Sequence, residues 1–162
     1  MAQDEAMIAF LPSDGTWCKQ DFPHMTLVSA GKTADRPESD LNEMAKDAIN
    51  AARIVRGGFS LNVTGIETMG ENEKVDVLML YPTPQLLVAR DLVKKWETEF
   101  PDFKAHATIG PEGSAFATDA PNYTNYDSPS RRSTLPSSLY FDRIAVCWDD
   151  KKLVFNLSSF DY

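Results

Sequence analysis

The chain contains two histidines, and both stand in the same three-residue pattern, His24-Met25-Thr26 and His106-Ala107-Thr108. With eleven threonines among 162 residues, both coincidences together have a chance of roughly 0.005 on composition alone. Residues two apart on an extended strand project to the same face, so each pattern offers one imidazole and one hydroxyl to a shared space. Two such strands facing each other would surround a phosphate. One neutral imidazole could take a proton from water or a ribose 2′-OH while the other, protonated, donates to the departing oxygen. The threonine hydroxyls and nearby backbone N–H groups would bond the equatorial phosphate oxygens as charge develops. This chemistry needs no metal and no cofactor. A single His near a Thr is ordinary strand composition; it is the duplication that favours catalysis. Neither motif has an Asp or Glu at fixed spacing, so sequence does not assign acid and base between His24 and His106.

Other chemistry-bearing residues are weaker candidates for substrate binding. Tyr123 and Tyr126 could stack on a base and Arg131, followed by Arg132, could meet a phosphate, although loop residues of these types often only cover a core or face solvent. Trp17, in the turn region before the first motif, could line the same cleft, against the commoner reading of a packed Trp. Lys32 could reach a phosphate but suits a solvated position as well. Cys18 and Cys147 lack C-x-x-C spacing and are too few for a disulfide framework, so both are expected to be reduced, buried packing residues. Two distant His and two distant Cys do not make a zinc site.

The elements that must position the motifs follow from periodicity. Met7 to Leu11 is a buried strand ending in the turn Pro12-Ser13-Asp14-Gly15, and Met25 to Ala30 is the next strand. From Ser39, Leu41, Met44, Ala45, Ala48, Ile49, Ala52 and Val55 recur at helical spacing until Gly57-Gly58. Phe59 to Ile66 and Val75 to Tyr81 form a hairpin about Met69-Gly70-Glu71-Asn72-Glu73. Thr83-Pro84 caps a second helix, whose stripe Leu86, Ala89, Val93, Trp96 and Phe100 runs up to Pro101. That spacing explains Met44, Trp96 and Phe100 as core. Phe103 to Ile109 is extended and carries His106 and Thr108. Residues 111–137, rich in Pro, Ser, Asn and Gly, predict a long loop or lid, and the strands Tyr140 to Trp148 and Leu153 to Leu157 close the chain through Asp149-Asp150-Lys151-Lys152. The sum is one α+β domain over 1–162 with mostly antiparallel strands and a weak internal echo, each half supplying a helix, a hairpin and a His-x-Thr strand.

A formal net charge of −8 and a pI near 4.7 disfavour duplex DNA and large RNA, which gain affinity by phosphate neutralisation. A small nucleotide is less affected, because screening limits distant surface charge to about 10 Å. The acidic N-terminal stretch and the lack of a run of about 20 apolar residues predict no membrane partner and a cytoplasmic location. A monomer is expected.

The segments FPHMTLVSAG and FKAHATIG resemble the paired signatures of the 2H phosphoesterase superfamily, also called LigT-like. The resemblance covers nearly the whole chain in element order, while only the two motifs are specific. It implies a two-lobed α+β fold with pseudo-twofold symmetry, a central cleft lined by His24, Thr26, His106 and Thr108, and action on cyclic phosphates or nucleotide phosphodiesters. Members include RNA-end 2′,3′-cyclic phosphodiesterases, 2′-5′ RNA ligase-like proteins and phage nucleases that destroy cyclic-oligonucleotide immune signals. Compactness and acidity favour a cyclic or short oligonucleotide substrate over tRNA-scale RNA. Two positions depart from the pattern: Ala105 stands where proline often precedes the second histidine, and Gly110 where a basic residue is common. A non-catalytic nucleotide-binding sponge is the alternative of another class.

Overall fold

The computed structural model describes residues 4–112 and 135–160. Among these residues are seven strands: β1 Glu5–Pro12, β2 Met25–Lys32, β3 Phe59–Met69, β4 Val75–Leu80, β5 His106–Pro111, β6 Ser138–Trp148 and β7 Lys151–Asn156. Two helices, α1 Ser39–Val55 and α2 Pro84–Val93, complete an α+β fold. The strands form one sheet in the order β2-β1-β6-β3-β4-β5, with β7 also on β6, and every pairing is antiparallel.

β3 joins the two lobes. Its first residues, Phe59 to Asn62, pair with β6, and from Val63 onward it pairs with β4. β6 carries β1 on one edge, while its other edge is shared by β3 near the start and β7 near the end. Each motif strand lies at one end of this path, yet β2 and β5 touch. The sheet therefore curls until its two edges face each other across a cleft, as strand twist permits.

Helical periodicity gave α1 its buried side: Met44, Ala48, Ala51 and Ala52 are buried against the sheet, and the helix stops where Arg56 and Gly57 take positive φ of 49° and 34°. α2 begins as its sequence demands, with Thr83 Oγ1 accepting from Leu86 N–H at 3.3 Å and Pro84 in the first turn. Its end differs from expectation. The α-helix stops at Val93, a 3₁₀ turn covers Lys94–Trp96, and Phe100 is 60% exposed rather than core. The cause is Glu97, whose Oε2 accepts from the backbone N–H groups of both Glu99 and Phe100 at 3.1 Å and turns the chain out of helical phase. Trp96 keeps a partly buried place, donating from its indole to Asp47 at 2.8 Å.

β2 starts at Met25 as expected, with His24 one residue ahead of it, whereas β5 starts at His106 rather than Phe103 and β7 at Lys151 rather than Leu153, so Lys152 belongs to a strand and not to the turn. The turn is Asp149-Asp150 alone, made tight by Asp149 at φ 53°.

The main core lies between the sheet and the helices; a smaller apolar cluster, Met7, Ala9, Leu11, Ala145 and Cys147, lies apart from it, with Phe22 packed upon it. Within the main core the Arg90–Glu97 ion pair (3.4 Å, side chains 7% and 8% exposed) joins α2 to the approach of β5. Glu97 Oε1 also accepts from Ser29 N–H of β2 at 3.3 Å. Removing one member of a buried pair strands the other, so Glu97→Ala is expected to cost about 3–5 kcal/mol in urea unfolding; a loss below about 1 kcal/mol would show that the pair does not hold the two segments.

Candidate active site

Both motifs show the same alternation. His24 and Thr26 are half-buried while Met25 and Leu27 are 0% and 1% exposed; His106 and Thr108 are half-buried while Ala107 and Ile109 are 0% and 1% exposed. The intervening residues anchor each strand in the core and leave the histidine and threonine on the other face.

The register repeats the likeness. Thr26 pairs with Ala9 and Val28 with Ile8, so the ladder skips Leu27; Thr108 pairs with Val77 and Gly110 with Asp76, so it skips Ile109. Each motif threonine is thus followed by one bulged, buried aliphatic residue. Bulges bend a strand and re-aim its side chains, and here both edge strands bend at the equivalent place.

Each imidazole is held in the same way. His24 Nδ1 lies 2.7 Å from the Phe22 carbonyl oxygen, and His106 Nδ1 lies 2.7 Å from that of Lys104. A carbonyl only accepts, so Nδ1 carries the hydrogen in both rings and each Nε2 is left to accept or, when the ring is charged, to donate. The surroundings differ. The Phe22 ring lies 5.3 Å from that of His24, tilted by 30°. His24 is depressed below the ordinary histidine value, chiefly by burial; the bond to the Phe22 carbonyl works the other way, and the positive charges of His106 and Lys152 add to the lowering.

An open cleft of about 590 Å³ brings His24, Thr26 and Thr108 together with Met7, Gln20 and Ser29 on one side and Glu73, Lys74, Val75 and Pro111 on the other. His106 stands beside it, two residues before Thr108 on β5. Glu5 also reaches the lining, paired with Lys32 at 3.6 Å. Lys32 further bonds Asp4 at 3.0 Å, so its charge is answered by two carboxylates. Trp17 is not in the lining: its indole donates to the Asp14 carbonyl at 2.6 Å and its ring packs on the main core. Tyr123, Tyr126 and Arg131 lie outside the described residues.

Sequence reasoning missed two residues near the site. Cys18 is half-buried rather than buried, and its thiol donates to the Thr108 carbonyl at 3.2 Å, fixing the loop before His24 to the second motif strand. Burial raises its pKa, and it pushes Cys147 up to about 11, so both thiols stay protonated. Lys152, assigned by sequence to a turn, stands on β7 with its ammonium 4.5 Å from the Phe22 ring centroid. Only the two-residue period of a strand beginning at Lys151 could have revealed it.

No family sequence model and no curated protein's sequence matches the chain. Among solved structures it is similar to Kluyveromyces marxianus Usb1, a 2H phosphoesterase-family enzyme, at TM-score 0.58 and 11% identity, over 96% of this chain and 99% of that one. The same enzyme with uridine monophosphate matches at TM-score 0.54 and 10% identity, over 96% and 100%. A phosphoesterase matches at TM-score 0.50 and 13% identity, over 94% and 99%. At these identities the likeness is one of fold: the chain shares the α+β fold of Usb1 and of that phosphoesterase.

The loop before His24 is tightly set. A Cβ on Gly15 would lie 2.5 Å from Pro23 Cγ, the ring adjoining His24. Gly15→Ala must push Pro23 and with it the histidine. The expected outcome is a folded protein whose turnover of a cleaved nucleotide falls by about tenfold or more, given how steeply rate depends on placement. Unchanged turnover would show that Pro23 moves without carrying His24.

Proposed function

We propose that the chain is a metal-independent phosphodiesterase acting on a small nucleotide, a cyclic oligonucleotide or a short linear one, with His24 and His106 as its acid–base pair. The observation that carries this reading is the duplicated lock: two imidazoles on facing edge strands, each with Nδ1–H tied to a backbone carbonyl two residues back and Nε2 left for chemistry. A nucleotide ligand is supported by the fold neighbour solved with uridine monophosphate.

The asymmetry between the rings suggests their roles. His24, buried and lowered, stays neutral at lower pH and suits the general base. Its Nε2 takes a proton from water or from a 2′-OH; that oxygen bonds to phosphorus as the bond to the leaving oxygen breaks; His106 Nε2–H gives its proton to the leaving oxygen. Thr26 and Thr108 bond the equatorial oxygens as charge grows there. After one turn the protons have exchanged places, and solvent restores them. Acid–base catalysis of this kind contributes roughly 10²–10⁴-fold in rate. An RNA-end 2′,3′-cyclic phosphodiesterase uses the same steps on a cyclic phosphate.

The test is chromatographic, in EDTA, against 2′,3′-cyclic nucleotides, 2′-5′ and 3′-5′ dinucleotides, and cyclic di- and trinucleotides. Cleavage should persist in EDTA and fall by about 100-fold or more in His24→Ala and in His106→Ala, each still folded. Normal turnover in a folded His106→Ala variant would remove the mechanism. Intact ligand recovered with the protein in stoichiometric amount would instead identify a sponge. With His24 as base, kcat/KM rises with pH as His24 loses its proton, and burial moves that acidic limb below the ordinary value of 6.5. The two rings interact, so the limb reports the pair; an acidic limb at or above 6.5 would oppose this assignment.

A further inference from the structure

Beyond the two motifs, the cleft face carries a cation that pairing register places there. Directly paired residues of antiparallel strands point to the same side of a sheet. Lys152 pairs with Cys147, Cys147 with Met7, and Met7 with Ser29, and the last two line the cleft. The row thus runs from β7 across β6 and β1 to the first motif strand. Phe22, packed on Met7 and Cys147, lies between the ammonium and the base: Lys152 Nζ is 4.5 Å from its centroid and the His24 ring 5.3 Å from the same centroid.

Lys152 makes no ion pair with a described residue. Among the described residues no carboxylate lies within 4 Å of its ammonium, whereas its neighbour Lys151, on the opposite face, pairs with Glu38 at 3.3 Å and Lys32 pairs with Asp4 at 3.0 Å. Across the ladder it faces Cys147, whose thiol burial keeps protonated, within the smaller apolar cluster on which Phe22 packs. A cation resting on the aromatic ring that flanks His24, in a protein of net charge −8, is placed to be answered by a ligand anion.

We infer that Lys152 is an anion-binding cation for this cleft, leaving the Phe22 ring to contact a phosphoryl oxygen of the substrate held at His24. The inference rests on the phosphodiesterase reading and adds a binding residue to it. A lysine suits the task because its flexible stem lets a compact charge move from ring to phosphate by rotation of its own side chain. Phe22 is then shared: its carbonyl fixes the base, its ring flanks the base, and the same ring parks the cation between turnovers.

The test measures inorganic phosphate binding by calorimetry, with KM on whichever nucleotide is cleaved, in wild type and in Lys152→Met, Lys152→Arg and Lys151→Met. The Lys152→Met variant should bind phosphate at least about tenfold more weakly and raise KM, as expected for one lost charge-assisted contact, with its unfolding midpoint unchanged. Lys152→Arg should retain most of the affinity. Lys151→Met removes the same charge one residue along on the other face and should bind as wild type does. Equal losses in the two methionine variants would show a diffuse charge effect and overturn the inference, as would undiminished binding in Lys152→Met. A wild-type protein that neither binds phosphate nor cleaves any nucleotide would overturn the phosphodiesterase reading itself.

Discussion

The carboxylate of Glu97 is the point at which the two halves of the cleft are tied together. One oxygen meets the Arg90 guanidinium and the Ser29 N–H of β2; the other receives the N–H groups of Glu99 and Phe100, which begin the path to β5. Thr98 adds two bonds to the Ser29 carbonyl, from its N–H at 2.9 Å and its hydroxyl at 3.2 Å. β2 is an edge strand, and an edge presents unpaired backbone groups that need partners. Here the partner is the segment leading from α2 to the opposite edge strand. The outer edge of the first motif strand and the approach to the second are therefore satisfied by one buried group. Arg90 completes it by bonding the Phe100 carbonyl at 3.3 Å and lying over the Phe103 ring. A buried pair of this kind is weak as a source of net stability; what it supplies is position, because four donors converging on one carboxylate admit a single arrangement of the chain.

The lobes repeat each other more closely in hydrogen bonding than in sequence. Each histidine ties Nδ1 to the carbonyl two residues back, and each threonine precedes a residue skipped by the ladder. The equivalent positions then diverge. Phe22-Pro23 precedes His24 where Lys104-Ala105 precedes His106, so the first ring has an aromatic neighbour and the second an exposed lysine. Repeated backbone geometry presents both Nε2 atoms alike, while burial lowers His24.

What could be read from the sequence is what depends on local periodicity. The paired motifs, the extent of α1, the Thr83 cap and the β3–β4 hairpin are written in residues close together in the chain, and the structure has them. Phe100 was misplaced because the signal that ends α2 is Glu97 capturing N–H groups two and three residues ahead, which overrides an apolar spacing that would have continued the helix. Lys152 was misplaced because Asp-Asp-Lys-Lys reads as a polar turn, and only pairing with β6 shows that two residues suffice to reverse the chain. The meeting of β2 with β5 depends on sheet curl and on bulges at Leu27 and Ile109, neither of which leaves a mark in composition. Trp17 illustrates the opposite limit, since a Trp near a motif says nothing of whether its ring faces cleft or core.

An acidic protein proposed to take a phosphodiester poses an electrostatic question that turns on the charges near its cleft. Screening confines the surface charge to about 10 Å, so the groups that count are those in the lining. Glu5 is partly neutralised by Lys32, and Glu73 is followed by Lys74. Thr26 and Thr108 are neutral, and burial leaves His24 disposed to lose its charge. The lining therefore carries charges of both signs, Glu5 and Glu73 with Lys74, and among the described residues no ion pair answers Lys74 or Lys152. The remaining surface repels a long polyanion at every further phosphate, because each one beyond the cleft meets the field of a chain with net charge −8. A field that penalises each further phosphate is the physical ground on which short and cyclic nucleotides, rather than long polyanions, are proposed as substrates.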